Sequence, residues 1–316
     1  MDDLLHFLLT TPPRPEPLST LDDWWRQHRG LASRFTTPVD LAFAGGFTAD
    51  RLGYAFASGY HAALRSLFPR MPDDHRAALC ATEAGGAHPS AMRTRLSGGE
   101  GLGPLRLNGS KAFVTLGTQA DTLFVVATEG VDAQGRNRIR VVMIDARRPG
   151  LSLNPLPEVP FVPEIPHAEL RLENVALSPE EVLPGDGYAR YVKPFRTVED
   201  CHVHAALLGW LLQVARRSGW PEPLQDELLA VAVAIRALAL ADPTSSAVHV
   251  ALGGVLDLSQ RLIQGLGEQW ARVDALTRER WERDRSLLGV AGKARLKRRE
   301  VARQRLVLGD KSPTDD

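Results

Sequence analysis

The chain of 316 residues has only two cysteines, Cys80 and Cys201. Two thiols cannot build a disulfide framework, so a reducing, cytoplasmic setting is expected. It has no excess of either charge, with 38 Lys plus Arg against 38 Asp plus Glu. That balance argues against a nucleic-acid partner, which calls for a basic excess. It also has no apolar run fit to cross a membrane. The longest, Leu228 to Ala241, is too short and contains Arg236. The first residues, Met1-Asp2-Asp3-Leu4-Leu5-His6, lack the basic region and cleavage site of a secretion signal. No internal repeat is present. What the chain does have is a hydrophobic fraction of 44%, enough for a sizeable core, and a length natural for two or three domains.

The patterning divides the chain into three blocks: 1–78, 79–184 and 185–316. The first is helical with loops. Thr20-Leu21-Asp22-Asp23 has the form of a helix start, and Ala49 to Leu67 carries helical apolar spacing before Pro69 and Pro72. The second block reads as β. Leu105–Leu107, Ala112–Thr115, Leu123–Thr128, Ile139–Ile144, Leu151–Leu153 and Ala168–Leu172 are short strands between Gly, Pro, Asn and Asp clusters. Their spacing is that of a small sandwich or barrel, and the proline-dense segment Pro155 to Pro166 splits them. The third block is helical over Val198–Val214, Leu224–Ala241, Ala247–Gln264 and Glu268–Leu306. The tail from Gly309 is polar and expected to fray.

The most informative stretch runs from Leu79 to Thr115. It opens Cys80-Ala81-Thr82-Glu83-Ala84-Gly85-Gly86-Ala87-His88-Pro89, with small residues where a backbone must approach something bulky. It closes Leu105-Arg106-Leu107-Asn108-Gly109-Ser110-Lys111-Ala112-Phe113-Val114-Thr115, which reads as a strand, a tight Asn-Gly turn and a second strand. Phe113 and Thr115 are two apart and so share a face. An aromatic beside a hydroxyl suits a flat, hydrogen-bonding heterocycle.

Together these ends resemble the flavin-binding middle domain of the acyl-CoA dehydrogenase family, whose segments read "TEPGAGSD" and "NGxKxWITN". Farther on, His167-Ala168-Glu169-Leu170-Arg171-Leu172-Glu173-Asn174-Val175 and Val182-Leu183-Pro184-Gly185-Asp186-Gly187-Tyr188 are similar to the family's "ELxFDxVxVPxxxxLGxxGxG". The likeness covers about 79–210. It implies an α+β fold with an N-terminal helical domain, a middle antiparallel β-barrel and a C-terminal helical bundle. It also implies FAD as cofactor. Thr82, Gly85, Ala87 and His88 would lie along it, Phe113 would pack on its ring system, and Thr115 would bond near its edge. The implied substrate is an acyl-CoA, dehydrogenated between its α and β carbons, with an unidentified electron acceptor. A homodimer or homotetramer is implied as well.

Several family features are missing. The "ERxxFG" motif has only Arg216-Arg217-Ser218-Gly219 in its place, and "QxxGGxGY" is reduced to Leu252-Gly253-Gly254. Arg280-Trp281-Glu282-Arg283-Asp284 resembles "RxxRDA", but the Glu common shortly after it is replaced by Ala291-Gly292. One branch of the family draws its base from the first helix after the barrel, about ten residues before a Gly. Glu199, with Gly209 following, stands there and is the candidate base. Asp200 beside it would raise the pKa of one of the two carboxyls. The run Lys293, Arg295, Lys297, Arg298, Arg299, Arg303, Arg305 reads as a solvated helix face rather than a phosphate site.

Two other readings stand beside this one. The eroded motifs suit a homologue that binds flavin or acyl-CoA as a partner subunit without catalysis. Glu199-x-x-His202 has the spacing of a di-metal helical enzyme, but the second such motif, Glu164-Ile-Pro-His167, contains a proline, and no metal is expected.

Overall fold

The structure is a computed structural model that describes residues 1–99 and 103–308. The expected fraying from Gly309 lies outside the described residues. The chain forms two compact units. No helix among the described residues is long and apolar enough to cross a membrane.

The helical unit comprises Met1–Ser66, Pro160–Glu164 and Thr197–Asp316. Its helices are α1 (Asp2–Thr10), α2 (Leu21–Ala32), α3 (Pro38–Thr48), α4 (Leu52–Leu67), α5 (Lys193–Arg217), α6 (Glu222–Ala239), α7 (Ser246–Gly265), α8 (Ala275–Asp284) and α9 (Gly292–Val307). Thr20 starts α2 with a capping box: its hydroxyl accepts from the Asp23 amide while the Asp23 carboxylate accepts from the Thr20 amide. Helix α3 is buried from Val39 to Phe47, the mark of a helix with no solvated face. It reaches α5 almost backbone to backbone. A Cβ on Gly209 would lie 2.3 Å from the Phe43 carbonyl oxygen, and one on Gly46 would lie 1.9 Å from that of Ala206. Gly46 and Gly209 thus together let the two helices touch. The single helical pattern over Glu268–Leu306 is broken in the structure. A 3-10 turn at Gly267–Arg272 precedes α8, which Asp274 caps by accepting from the Thr277 amide. Another 3-10 turn, Arg285–Gly289, ends at extended Val290 and left-handed Ala291.

The β unit comprises Leu67–Val159 and Ile165–Arg196. Its strands are β1 (Ala77–Cys80), β2 (Arg95–Ser97), β3 (Arg106–Thr115), β4 (Thr122–Val131), β5 (Asn137–Asp145), β6 (Leu151–Pro155) and β7 (His167–Ala176). The order is β1-β4-β2-β3-β7-β6, with β5 on β4. Among the described residues the path does not close on itself, so the expected barrel is an open sheet. Nor is it purely antiparallel: β1 and β2 both pair with β4 in parallel. Its core is built from inward residues such as Leu107, Val114, Val125, Val142, Leu170 and Val175. Phe68 stacks on Phe124 with ring centres 3.8 Å apart.

The expected turn at Asn108-Gly109 is absent. Strand β3 runs straight through it, and a register shift against β7 falls between Leu107 and Gly109. Gly109 has φ of 143°, and a Cβ there would lie 2.6 Å from the Cα of Thr94. The glycine serves a close backbone crossing rather than a reversal.

Candidate functional site

The two ends of the Leu79–Thr115 stretch meet. Thr82 pairs with Phe113 in an antiparallel bridge, and the Ala112 amide donates to the Thr82 carbonyl at 2.9 Å. Beyond Thr82 the chain turns back at once: Glu83 and Gly86 exchange backbone hydrogen bonds of 3.1 and 2.8 Å, and Gly86 holds φ of 100°. Gly85 is exposed and Ala87 half-buried in this turn. His88 is exposed and caps a 3-10 turn, its Nδ1 accepting from the Ser90 amide.

Under the turn lies a buried ion pair. Lys111 is fully buried and its Nζ donates to Glu83 Oε1 at 2.7 Å. The same carboxylate accepts from the Arg93 amide (2.7 Å), the Thr94 amide (3.0 Å) and the Thr94 hydroxyl (2.7 Å). Burial pushes the Glu83 carboxyl up, but Lys111 and Thr94 outweigh it and hold it below the usual carboxylate range. Burial, only partly offset by Glu83, holds Lys111 below the usual ammonium range. Sequence reasoning missed this pair, although both residues sit inside the quoted segments. Nothing in a linear motif says that they touch.

Phe113 is 41% exposed, a large ring left open on a strand whose neighbour Val114 is fully buried. Thr115 is half-buried and lies opposite His167 of β7. The His167 ring stacks on Phe113 with centres 4.2 Å apart. Its Nδ1 is buried without a hydrogen-bond partner, and burial pushes its pKa down to about 4, so it is neutral near pH 7. His167 opens the segment compared with the family above, yet nothing in the sequence marked it as part of this face. These features fit a flavin. The Phe113 ring is open to a flat partner, Thr115 follows two residues on opposite His167, and the imidazole that stacks on Phe113 has a buried nitrogen without a hydrogen-bond partner.

Glu199 is half-buried on α5. Asp200 is buried and turned to α9, held by Arg295 at 2.8 Å and by Arg298. Asp200 is therefore not a free like charge beside Glu199, because its charge is met by two guanidinium groups. The basic run is likewise not simply solvated: Arg295 and Arg298 hold Asp200, and Arg299 holds Asp257. His202 binds the Val198 carbonyl of its own helix through Nδ1 at 2.7 Å, so the Glu-x-x-His spacing is absorbed by the helix. Among the described residues no group of three His, Cys, Asp or Glu side chains is placed to hold a metal.

The remaining family-like residues build scaffold. Asp284 accepts from the Val162 amide and from Arg283, and Arg283 also reaches Glu164 at 3.0 Å. Arg216 donates to the carbonyls of Leu8 and Thr11 at the end of α1. A cavity of about 630 Å³ opens in the helical unit among His204, Leu256, Gln260, Trp270, Trp281 and Arg285; Glu199 does not line it.

Residues 78–175 match the family described as "Acyl-CoA dehydrogenase, middle domain". No curated protein matches the sequence. Among solved structures the fold is similar to that of butyryl-CoA dehydrogenase from Megasphaera elsdenii, at 16% identity over 89% of this chain and 85% of that one, with a TM-score of 0.67. It is similar also to the prolyl acyl carrier protein oxidase AnaB, at 18% identity over 96% and 97% with a TM-score of 0.64. A third likeness is PigA with FAD and proline, at 14% identity over 97% and 96% with a TM-score of 0.66. At such identities the structures speak for the fold. Residues 78–175 thus match the middle domain of the acyl-CoA dehydrogenase family, and the chain shares its fold with the structures named.

Proposed function

We propose that the chain is an FAD-dependent oxidoreductase that dehydrogenates an acyl thioester between its α and β carbons. The observation that carries this reading is the Thr82–Phe113 bridge, which joins the two flavin-type segments at one exposed face. Thr82, Gly85, Ala87 and His88 would line the cofactor's flank, with Phe113 against its ring and Thr115 at its edge. Bound FAD would supply a two-electron acceptor for the β-hydrogen. Glu199 would take the α-proton at a carboxylate oxygen, a task that burial beside the thioester favours by expelling water. The thioester carrier is coenzyme A on this reading. The name of the prolyl acyl carrier protein oxidase makes a carrier-bound acyl group a second possibility to test. We also propose a homodimer or homotetramer in the cytoplasm.

A second reading is a flavin- or acyl-CoA-binding partner subunit without catalysis. Ala291 and Gly292 favour it, since neither can accept a proton. The experiment is to mix the FAD-loaded protein with acyl-CoA thioesters of increasing chain length and follow loss of the oxidised flavin absorption. The first reading expects bleaching in the wild type and none in Glu199→Gln, with flavin retained in both. Wild-type bleaching that survives Glu199→Gln unchanged removes Glu199 as base. A wild type that never bleaches supports the second reading.

A further inference from the structure

The cavity of about 630 Å³ in the helical unit is lined by one stripe from each of two helices. Leu256, Gln260 and Ile263 of α7 follow the three- and four-residue spacing of a single helix face, and so do Gly292, Arg295 and Arg299 of α9. At one end the helices are in contact, where a Cβ on Gly253 would collide with the Arg299 side chain. Beyond that contact the lining takes in Trp270 and Trp281, whose rings stack 4.6 Å apart and are almost wholly buried. The volume is that of a small-molecule site, and so is the mixture of aromatic wall and a few polar groups. Three arginines reach the lining, and they are not equivalent. Arg295 is held by Asp200 and the Leu288 carbonyl, and Arg299 by Asp257. Arg285 pairs with Glu282 three residues back, with the two side chains 59% and 52% exposed. An exposed pair of that kind holds its members weakly. Arg285 can therefore turn to a ligand anion without stranding a buried charge. Lys293 and Lys297, exposed on α9, add to the positive field beside it.

We infer that this cavity binds an amphiphilic monocarboxylate, with its apolar body against Trp270, Trp281 and Leu256 and its carboxylate at Arg285. The planar guanidinium offers a carboxylate two parallel N–H donors, and the tryptophan wall favours the body by removing it from water. The flavin-type face belongs to the β unit, whereas every residue lining the cavity belongs to the helical unit, and Glu199 is not among them. The inference therefore stands without the function proposed above.

Displacement of a fluorescent probe tests this on the full chain. The probe is anilinonaphthalene sulfonate, an aromatic anion that brightens in apolar surroundings, and the competitors are decanoate and decanol. The wild type should bind the probe saturably. Decanoate should displace it at least about tenfold more effectively than decanol, which has the same chain without the charge. Arg285→Gln should bring decanoate to the level of decanol and leave decanol unchanged. Ile263→Trp, which fills the cavity from a half-buried position, should weaken the probe and both competitors by at least about tenfold. Should that variant not fold, Gln260→Trp must do the same from an exposed position on the same stripe. Absence of saturable probe binding overturns the site. Decanol acting as well as decanoate, or Arg285→Gln holding decanoate as the wild type does, overturns the carboxylate. Wild-type binding in both tryptophan variants places the probe elsewhere and overturns the cavity, as does displacement by excess FAD, which would put the probe on the flavin-type face. Probe binding that appears only as a sedimenting oligomer dilutes to monomer gives the cavity to a second copy of the chain and overturns the inference as well.

Discussion

The β unit and the helical unit use the same kinds of charged residue in opposite ways. In the β unit one lysine and one glutamate are buried together, and the open ring of Phe113 stacks on a cross-strand histidine whose buried Nδ1 has no hydrogen-bond partner. In the helical unit the arginines and acids of the family-like segment tie scaffold to scaffold, as Arg283 does with Asp284 and Glu164. The comparison teaches that resemblance in sequence does not mark a site by itself. Among the family-like residues of the β unit Phe113 is open to solvent, whereas Arg283 and Asp284 of the helical unit are engaged with their own chain.

The largest expected effect is at the buried pair. Lys111→Met leaves the buried Glu83 carboxylate without its counter-charge, with only the Arg93 and Thr94 donors, and should cost about 3–5 kcal/mol in urea unfolding. A loss below about 1 kcal/mol would mean that the pair is not tightly held, and the contrast between the units would weaken.

Acid acts on buried histidines in both units, His167 in the β unit and His202 and His204 in the helical unit. His202 is pushed down to about 4 by burial, partly offset by its bond to Val198, and His204 to about 4 by burial and then by Arg295. The unfolded chain binds protons on these groups from about pH 6.5, the folded chain only near pH 4. Their contribution is therefore fully present above pH 6.5 and is lost as pH falls from 6.5 towards 4. At pH 5 the loss is on the order of 2 kcal/mol per histidine. His204→Gln, which can keep a bond to Ser259, should flatten part of that slope. An unaltered slope would show that His204 is not titrating as described.

Gly209→Ala tests close helix packing. The new methyl group meets the Phe43 carbonyl, and the expected net cost is about 1–3 kcal/mol despite the better helix propensity of alanine. A stabilised variant would contradict the close approach of α3 and α5.

Much of this architecture was legible, and what was not has a common cause. Thr20 and Asp23 announced α2 because a capping box is local. The strands around Phe124, Val142 and Leu170 were visible from their own composition. The two-residue period expects Phe113 and Thr115 on one face, but gave no warning that Lys111 would be buried while Phe113 is open. The Asn108-Gly109 turn failed because the glycine answers to Thr94, fifteen residues earlier, and a local turn signal cannot see that contact. The barrel failed because closure depends on which edges pair. Strands β1 and β2 were overlooked as short elements defined by parallel pairing to β4. Asp200 looked like a free neighbour of Glu199 because its partners, Arg295 and Arg298, lie a hundred residues away in sequence.

The smallest expected effect on stability belongs to the residue with the largest expected effect on binding. Phe113→Ala removes a ring that is already 41% exposed, and should cost about 1 kcal/mol or less. The most direct measurement is therefore FAD titration of the purified wild type and of Phe113→Ala, following the quenching of flavin fluorescence. The account predicts saturable quenching in the wild type and affinity weakened by at least about tenfold in the variant, with its melting temperature nearly unchanged. Wild-type protein that leaves FAD fluorescence untouched, or a variant that binds as tightly as the wild type, would contradict it.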